Sequence, residues 1–406
     1  MKTTASGVSA PAADQTGAGP ATAPSAGAAK ETNLLRAFSF SIYATQALVV
    51  SYIPLYFLDR GFSAAQIGIL YSTGPFISVF ANLITGTASD KYRTIKKLLT
   101  VLLLGQLVMI SLLFTTNSFI LVGLIMLAFY FCQTPMNPLS DSLILLSSQY
   151  TGRPYALVRI FGSLGSAVCA YAFGLLLKQT GTSAAPFVGM AMIAVSIGFS
   201  FLLKDYQGAL KKMDFSGFLK LLRKPDTALF FLLVLVISIA HRMYEGFLAV
   251  TLRQMGASDS LVGLASMISG FSEIPVLFLL GKYGHKFKEL PLLAIASLMY
   301  AVRFFLIGKI TSPVWVLPLQ AMHSVSFGIY FATAVRYLSG IIPDEYRSSG
   351  QAVYAVIWSG FAGIISGTVG GAIYDHYGKG AFFHMAAGLA LAACAGFLGK
   401  HFLRRK

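Results

Sequence analysis

One apolar stretch carries two opposite full charges: Pro135-Met-Asn-Pro-Leu-Ser-Asp141, a turn at Thr151 to Pro154, then Arg159-Ile-Phe-Gly162-Ser-Leu-Gly165. Both flanks of the turn are apolar enough to lie in a membrane. At about 1.5 Å per residue, Asp141 and Arg159 sit at similar depths, roughly 8–12 Å from the turn. Antiparallel helices would then bring carboxylate and guanidinium together. A charge in hydrocarbon costs several kcal/mol, so the two are expected to pair and to face a polar space. The expected chemistry is a polar binding cavity between helices; the alternative is an ion pair that only pins two helices.

The second half of the chain repeats the pattern. The acids Glu245 and Glu273, the bases Arg242, Arg303 and Arg336, and the histidines His241 and His323 all fall in apolar runs. Each implies a partner or water. Glu273 and Arg303 are the preferred pair, because their helices are adjacent arms of a hairpin. A carboxylate that is neutral when its arginine moves away and ionised when it returns can take up and release a proton. His323 could relay it, since histidine changes charge near neutrality. His241 reads as a satisfied core histidine. Arg242 and Arg336 could instead reach a membrane interface along their apolar stems.

These residues need long apolar helices to position them. The chain is 56% hydrophobic and only 11% charged, with a mean hydropathy of +0.70. Soluble domains carry about 25% charged residues, so this is an integral membrane protein of all-α class. The 3 cysteines, Cys132, Cys169 and Cys394, lie far apart in apolar runs and suit packing, not a disulfide framework or a zinc site. The +16 charge sits at the ends of apolar segments, which points to topology and not to nucleic acid. There is no nucleotide-binding glycine motif, no zinc spacing and no nucleophile–base constellation, so an enzyme, a metal or an organic cofactor is not expected.

Twelve segments have membrane-spanning length: 35–58, 64–88, 97–115, 118–149, 155–177, 184–203, 226–254, 259–282, 289–308, 313–340, 348–374 and 380–402. The runs are continuous and not alternating, which favours helices over a barrel. Pro135 and Pro138 predict a kink in the fourth. With the N-terminus inside, inner loops and tails hold 22 Lys and Arg against five at the outer ends. Both termini are therefore expected in the cytoplasm of a cell (inner) membrane protein. Residues 1–33 have almost no large apolar side chains and are expected to be a disordered tail. A basic amphipathic linker at 204–225 separates two six-helix bundles, 34–203 and 226–406.

The halves are related by an offset of 195, which carries Gly61 to Gly256, Gly68 to Gly263, Gly86 to Gly281, Lys91 to Lys286 and Gly165 to Gly360. Parallel repeats of this kind build a pseudo-twofold around a central site. Small-residue stripes at Gly162, Ser166, Ala170 and Gly174, and at Gly363, Gly367 and Gly371, predict close helix packing.

The loop Gly86-Thr-Ala-Ser-Asp90-Lys91-Tyr-Arg93-Thr-Ile-Lys96-Lys97 resembles the cytoplasmic signature loop of the major facilitator superfamily, without its usual Gly after the first basic residues. The resemblance implies that Asp90, Lys91 and Arg93 are gating residues. Within the superfamily, residues 35–402 look most like the lactose-permease-like proton symporters, on Pro54-Leu-Tyr-Phe-Leu-Asp59, Gln66-Ile-Gly68 and Arg159-Ile-Phe-Gly162-Ser-Leu-Gly165. By that likeness Asp141 and Arg159 contact substrate, Glu245 matches an acid of the site, and Arg303 and His323 match its coupling residues. Ser166 stands where the permease has its sugar-stacking tryptophan, Ser326 where it has an acid after the histidine, and Arg242 where it has another acid. These departures argue against galactoside recognition.

The expectation is thus a proton-coupled symporter of a small organic solute (sugar, nucleoside or aromatic acid). Asp141, Arg159, Glu245 and His323 would bind substrate, and Glu273, Arg303 and His323 would couple protons. Its partners would be the solute, protons and the lipid bilayer, acting as a monomer. An exporter or facilitator on the same scaffold, or a non-transporting sensor, are the alternatives.

Overall fold

The computed structural model describes residues 26–151, 155–206, 225–343 and 347–403. Nearly all of them are helical. The first half holds α1 (Ala26–Ser51), α2 (Ile53–Asp59), α3 (Ala64–Tyr92), α4 (Lys96–Leu112), α5 (Phe119–Gln133), α6 (Met136–Thr151), α7 (Tyr155–Thr180) and α8 (Ala185–Leu202). The second holds α9 (Pro225–Gln254), α10 (Asp259–Tyr283), α11 (Glu289–Lys309), α12 (Val316–Ala321), α13 (Ile329–Ile341), α14 (Arg347–Ala355) and α15 (Ala362–Leu403). Among the described residues, nine helical stretches are long and apolar enough to cross a membrane.

Local chemistry explains the element ends. Ser63 accepts from the Gln66 amide while the Gln66 side chain accepts from the Ser63 amide, a reciprocal cap that starts α3. A serine cap recurs at the matching position of the second half, where Ser258 accepts from the Leu261 amide and starts α10. The expected proline kink is a break between α5 and α6 at Thr134–Pro135, after which Pro135 O accepts from Leu139 N at 3.0 Å. The first helix begins at Ala26, inside the stretch read as a tail to residue 33; its Glu31 is buried against Ser147 at 3.0 Å. Residues 1–25, the linker from 207 to 224 and the turn residues 152–154 lie outside the described residues.

Helix α15 is two antiparallel arms. Gly378 takes φ 74°, and Tyr374 and Phe382 meet edge to face with ring centroids 5.1 Å apart. Eight residues of straight helix would separate them by roughly 12 Å. A Cβ placed on Gly370 would lie 3.3 Å from Phe382 Cε2, so the chain reverses at Gly378.

Two π-helical turns, Ser324–Gly328 and Val356–Phe361, interrupt the last part of the chain. Such turns widen a helix by one residue and often occur at functional sites. Here the first follows His323 and the second carries Trp358 and Ser359.

Contacts between the halves gather at one end. Helix α3 meets α15 where a Cβ on Gly68 would lie 2.2 Å from Gly367 O, and one on Gly363 2.3 Å from Pro75 Cγ. Helix α7 meets α10 where a Cβ on Gly174 would lie 2.5 Å from Asp259 O, and one on Gly263 2.3 Å from Ala170 O. The small-residue stripes thus divide. Gly162, with its neighbour Gly165 outside the stripe, seats α1 through Tyr43 and Phe40, whereas Ala170, Gly174, Gly363, Gly367 and Gly371 seat the opposite half. Arg253 clamps the same end, with Nη2 2.8 Å from Asp59 Oδ2 and Nη1 3.1 Å from Asp259 Oδ1. Thr182 donates to Asp59 at 2.5 Å, and Asp375 accepts from the Ala65 amide at 2.9 Å. Toward the Lys91 end, Phe76, Phe80, Leu83 and Ile84 of α3 and Phe271, Ile274, Leu277 and Phe278 of α10 are exposed.

Candidate functional site: charges held inside the helix bundle

Helix α7 has three faces, set by its 3.6-residue turn. Val158, Gly162, Gly165 and Cys169 are buried, while Leu157, Ile160, Leu164 and Val168 form an exposed apolar strip. Arg159, Ser163 and Ser166 form a separate polar strip that is exposed or half-buried. An apolar strip suits lipid and a polar one suits a water-filled cleft. Arg159 Nε lies 3.1 Å from Asp141 Oδ1, and its guanidinium stacks 4.2 Å over the Tyr43 ring. The two residues therefore meet, on the polar face. Nearby, Asn137 donates to Gln46 at 3.0 Å.

The second-half charges form a chain. Arg303 is fully buried. Its Nη2 donates to Tyr244 OH at 2.5 Å and to Gln320 Oε1 at 2.6 Å, and its guanidinium lies 4.2 Å over the Tyr244 ring. Its Nη1 lies 2.9 Å from His323 Nδ1. The far side of the ring, Nε2, lies 2.8 Å from Glu273 Oε1. A guanidinium has only donors, so Nδ1 must accept. The remaining proton of a neutral imidazole is then on Nε2 and points at the carboxylate. Glu273 therefore reaches Arg303 through His323 and not by the direct pair expected from the hairpin. With Arg303 in place the ring holds its single proton between two charges.

Arg242 turns inward rather than to an interface. It contacts Glu245 Oε2 at 2.5 Å, Ser359 Oγ at 2.8 Å and Trp358 O at 3.2 Å. His241 is buried beside Tyr300 OH at 3.1 Å and stacks on Phe327 at 4.9 Å, the satisfied core histidine expected. Arg336 lies elsewhere, near the Lys91 end, with Nε 3.1 Å from Glu289 and a bond to Phe287 O at 3.2 Å.

In the signature loop, Lys91 and Arg93 are exposed, and the side chain of Asp90 lies outside the described residues. Arg93 takes φ 51° and ends α3, donating to Ser89 O. Sequence reasoning missed the loop's partner, Asp205, whose Oδ1 accepts from the Ile95 and Lys96 amides at 3.0 and 3.1 Å. An acid at a helix N-terminus is favourable, but this one arrives from over a hundred residues away and leaves no local pattern. Gln320 and the Asp59–Arg253–Asp259 clamp were missed for the same reason.

The profile of the MFS_1 like family matches residues 33–385. A maltose permease of Geobacillus stearothermophilus is 26% identical over 368 residues, 88% of this chain and 91% of the relative. A probable 3-phenylpropionic acid transporter of Escherichia coli (strain K12) is 25% identical over 358 residues, 86% of this chain and 92% of the relative. Among solved structures, a point-mutant form of the nucleoside transporter NupG superposes with a TM-score of 0.83 at 17% identity, covering 91% of this chain and 99% of that one. Family and fold agree with a multi-pass membrane transporter and not an enzyme. On the match across residues 33–385, the chain belongs to the MFS_1 like family of the major facilitator superfamily.

Proposed function

We propose that this protein is a proton-coupled symporter that moves a small organic solute by alternating access. In this reading twelve helices form two six-helix bundles in the inner membrane, with both termini cytoplasmic. The reversal at Gly378 supports the helix count, because it divides α15 into two spans. Contacts clustered at the Asp59 end support an inward-open state, since the Lys and Arg distribution assigns the Lys91 end to the cytoplasm.

The observation that carries the coupling is the Arg303–His323–Glu273 chain. Glu273 ionised is held by the imidazole N–H, with Arg303 behind it. If α10 moves away from His323 during rocking, the carboxylate loses that donor and takes a proton; its return releases the proton. Helix α10 packs against α7 of the opposite half, so in this reading the carboxylate sits on a part that shifts as the halves rock. Asp141, Arg159 and Glu245 line the solute cleft, and Asp90, Lys91 and Arg93 bias the Lys91 end.

The test is Glu273→Gln in proteoliposomes with an imposed pH gradient. The variant is fixed neutral, so proton-driven accumulation should fall to background while counterflow exchange continues. Accumulation with normal pH dependence would place the coupling acid elsewhere.

A further inference from the structure

We propose that the cleft takes an uncharged solute rich in hydroxyl or N–H donors, the chemistry shared by sugars and nucleosides, and discriminates against carboxylates. This rests on the transporter reading. The sequence alone leaves four intramembrane arginines against three acids, which leaves one cation free for an anionic solute. The structure removes that surplus. Arg336 is held by Glu289 near the Lys91 end. The other three are each committed: Arg159 to Asp141, Arg242 to Glu245, and Arg303 through His323 to Glu273.

Protonating Glu273 does not restore a free cation. Arg303 stays fully buried among Tyr244, Gln320 and His323, out of contact with a solute. A solute carboxylate would have to displace Asp141 or Glu245 and leave that acid unpaired, a costly exchange in a site of low dielectric. Acceptors, by contrast, are in supply. Arg242 engages Oε2 of Glu245 and His323 engages Oε1 of Glu273, and both acids remain partly accessible, 38% and 24% by side chain. Their second oxygens can receive O–H or N–H groups without disturbing an ion pair.

The experiment is binding to the purified full chain, by isothermal titration, of three probes: maltose, uridine and 3-phenylpropionate. The wild type should bind a neutral probe and bind 3-phenylpropionate at least about tenfold more weakly, the loss set by the broken pair. Maltose and uridine separate sugar from nucleoside. Asp141→Asn frees Arg159 and should raise 3-phenylpropionate affinity at least about tenfold; Glu245→Gln should do the same through Arg242. Wild-type binding of 3-phenylpropionate as tight as either neutral probe would overturn the proposal. So would failure of both variants to gain it. A neutral probe that binds but shows no counterflow would refute transport and leave the solute class standing.

Discussion

At the residue scale, Arg303 shows what a buried cation asks of its surroundings. It has no exposed surface, a ring beneath it and three acceptors around it. Arg303→Met removes the charge and leaves Gln320, Tyr244 and His323 without their shared donor. Loss of one member of a buried charged network costs about 3–5 kcal/mol, so the thermal unfolding temperature in detergent should drop by several degrees. The nitrogen shifts of labelled His323 provide a second check: Nδ1 should carry no proton in the wild type and should become protonated, or exchange between tautomers, in the variant. A histidine whose tautomer is unchanged by Arg303→Met would mean that another group orients the ring. The pairing of Asp141 with Arg159 was legible beforehand because a short turn and the helix rise dictate equal depth. The insertion of His323 between Glu273 and Arg303 was not, because the three residues stand far apart in sequence and only the packed helices set which side chain reaches which.

At the element scale, glycine matters where two backbones touch. A methyl group on Gly68 would lie 2.2 Å from a backbone carbonyl of Gly367, an atom that cannot rotate aside. Gly68→Ala should therefore disfavour closure of the Asp59 end by about 1–3 kcal/mol. Spin-label distances across that end, between α3 and α15, should lengthen or broaden, while the distances inside the first half stay fixed. Unchanged distances would show that the α3–α15 contact is not part of the switch. The 195-residue repeat made Gly68 visible, and the four-residue stripes made Gly162, Gly174 and Gly367 visible as a pattern. Which of them face a neighbour in the same half and which face the other half is a property of the packed pair, and only the structure divides Gly162 from Gly174.

At the scale of the whole molecule, Arg253 bonds acids from both halves at once, Asp59 and Asp259. Asp59→Asn weakens that clamp and the Thr182 bond with it. A partly exposed pair contributes only about 0.2–1 kcal/mol, so the expected effect is modest: a severalfold rise in labelling of a cysteine placed behind the clamp, with binding of solute little altered. Unchanged labelling would make the clamp incidental. The membrane class and the all-helical fold were legible because hydrocarbon tolerates so few sequences. The closed end was not, since Asp59 and Arg253 stand 194 residues apart and carry no signature of their pairing.

The same clustering has a consequence for anyone preparing this protein. The alternating access proposed above runs only if its two arrangements differ by a few kcal/mol, because each step of about 1.4 kcal/mol changes their ratio tenfold. In that reading, every bond across the Asp59 end counts toward one arrangement alone. Substitutions chosen for heat resistance would therefore be drawn to that end, by tightening the clamp or filling beside Gly263, and would select molecules that have stopped turning over. Melting temperature and transport rate should move in opposite directions along such a series, and the sturdiest member would be the poorest guide to how the protein works.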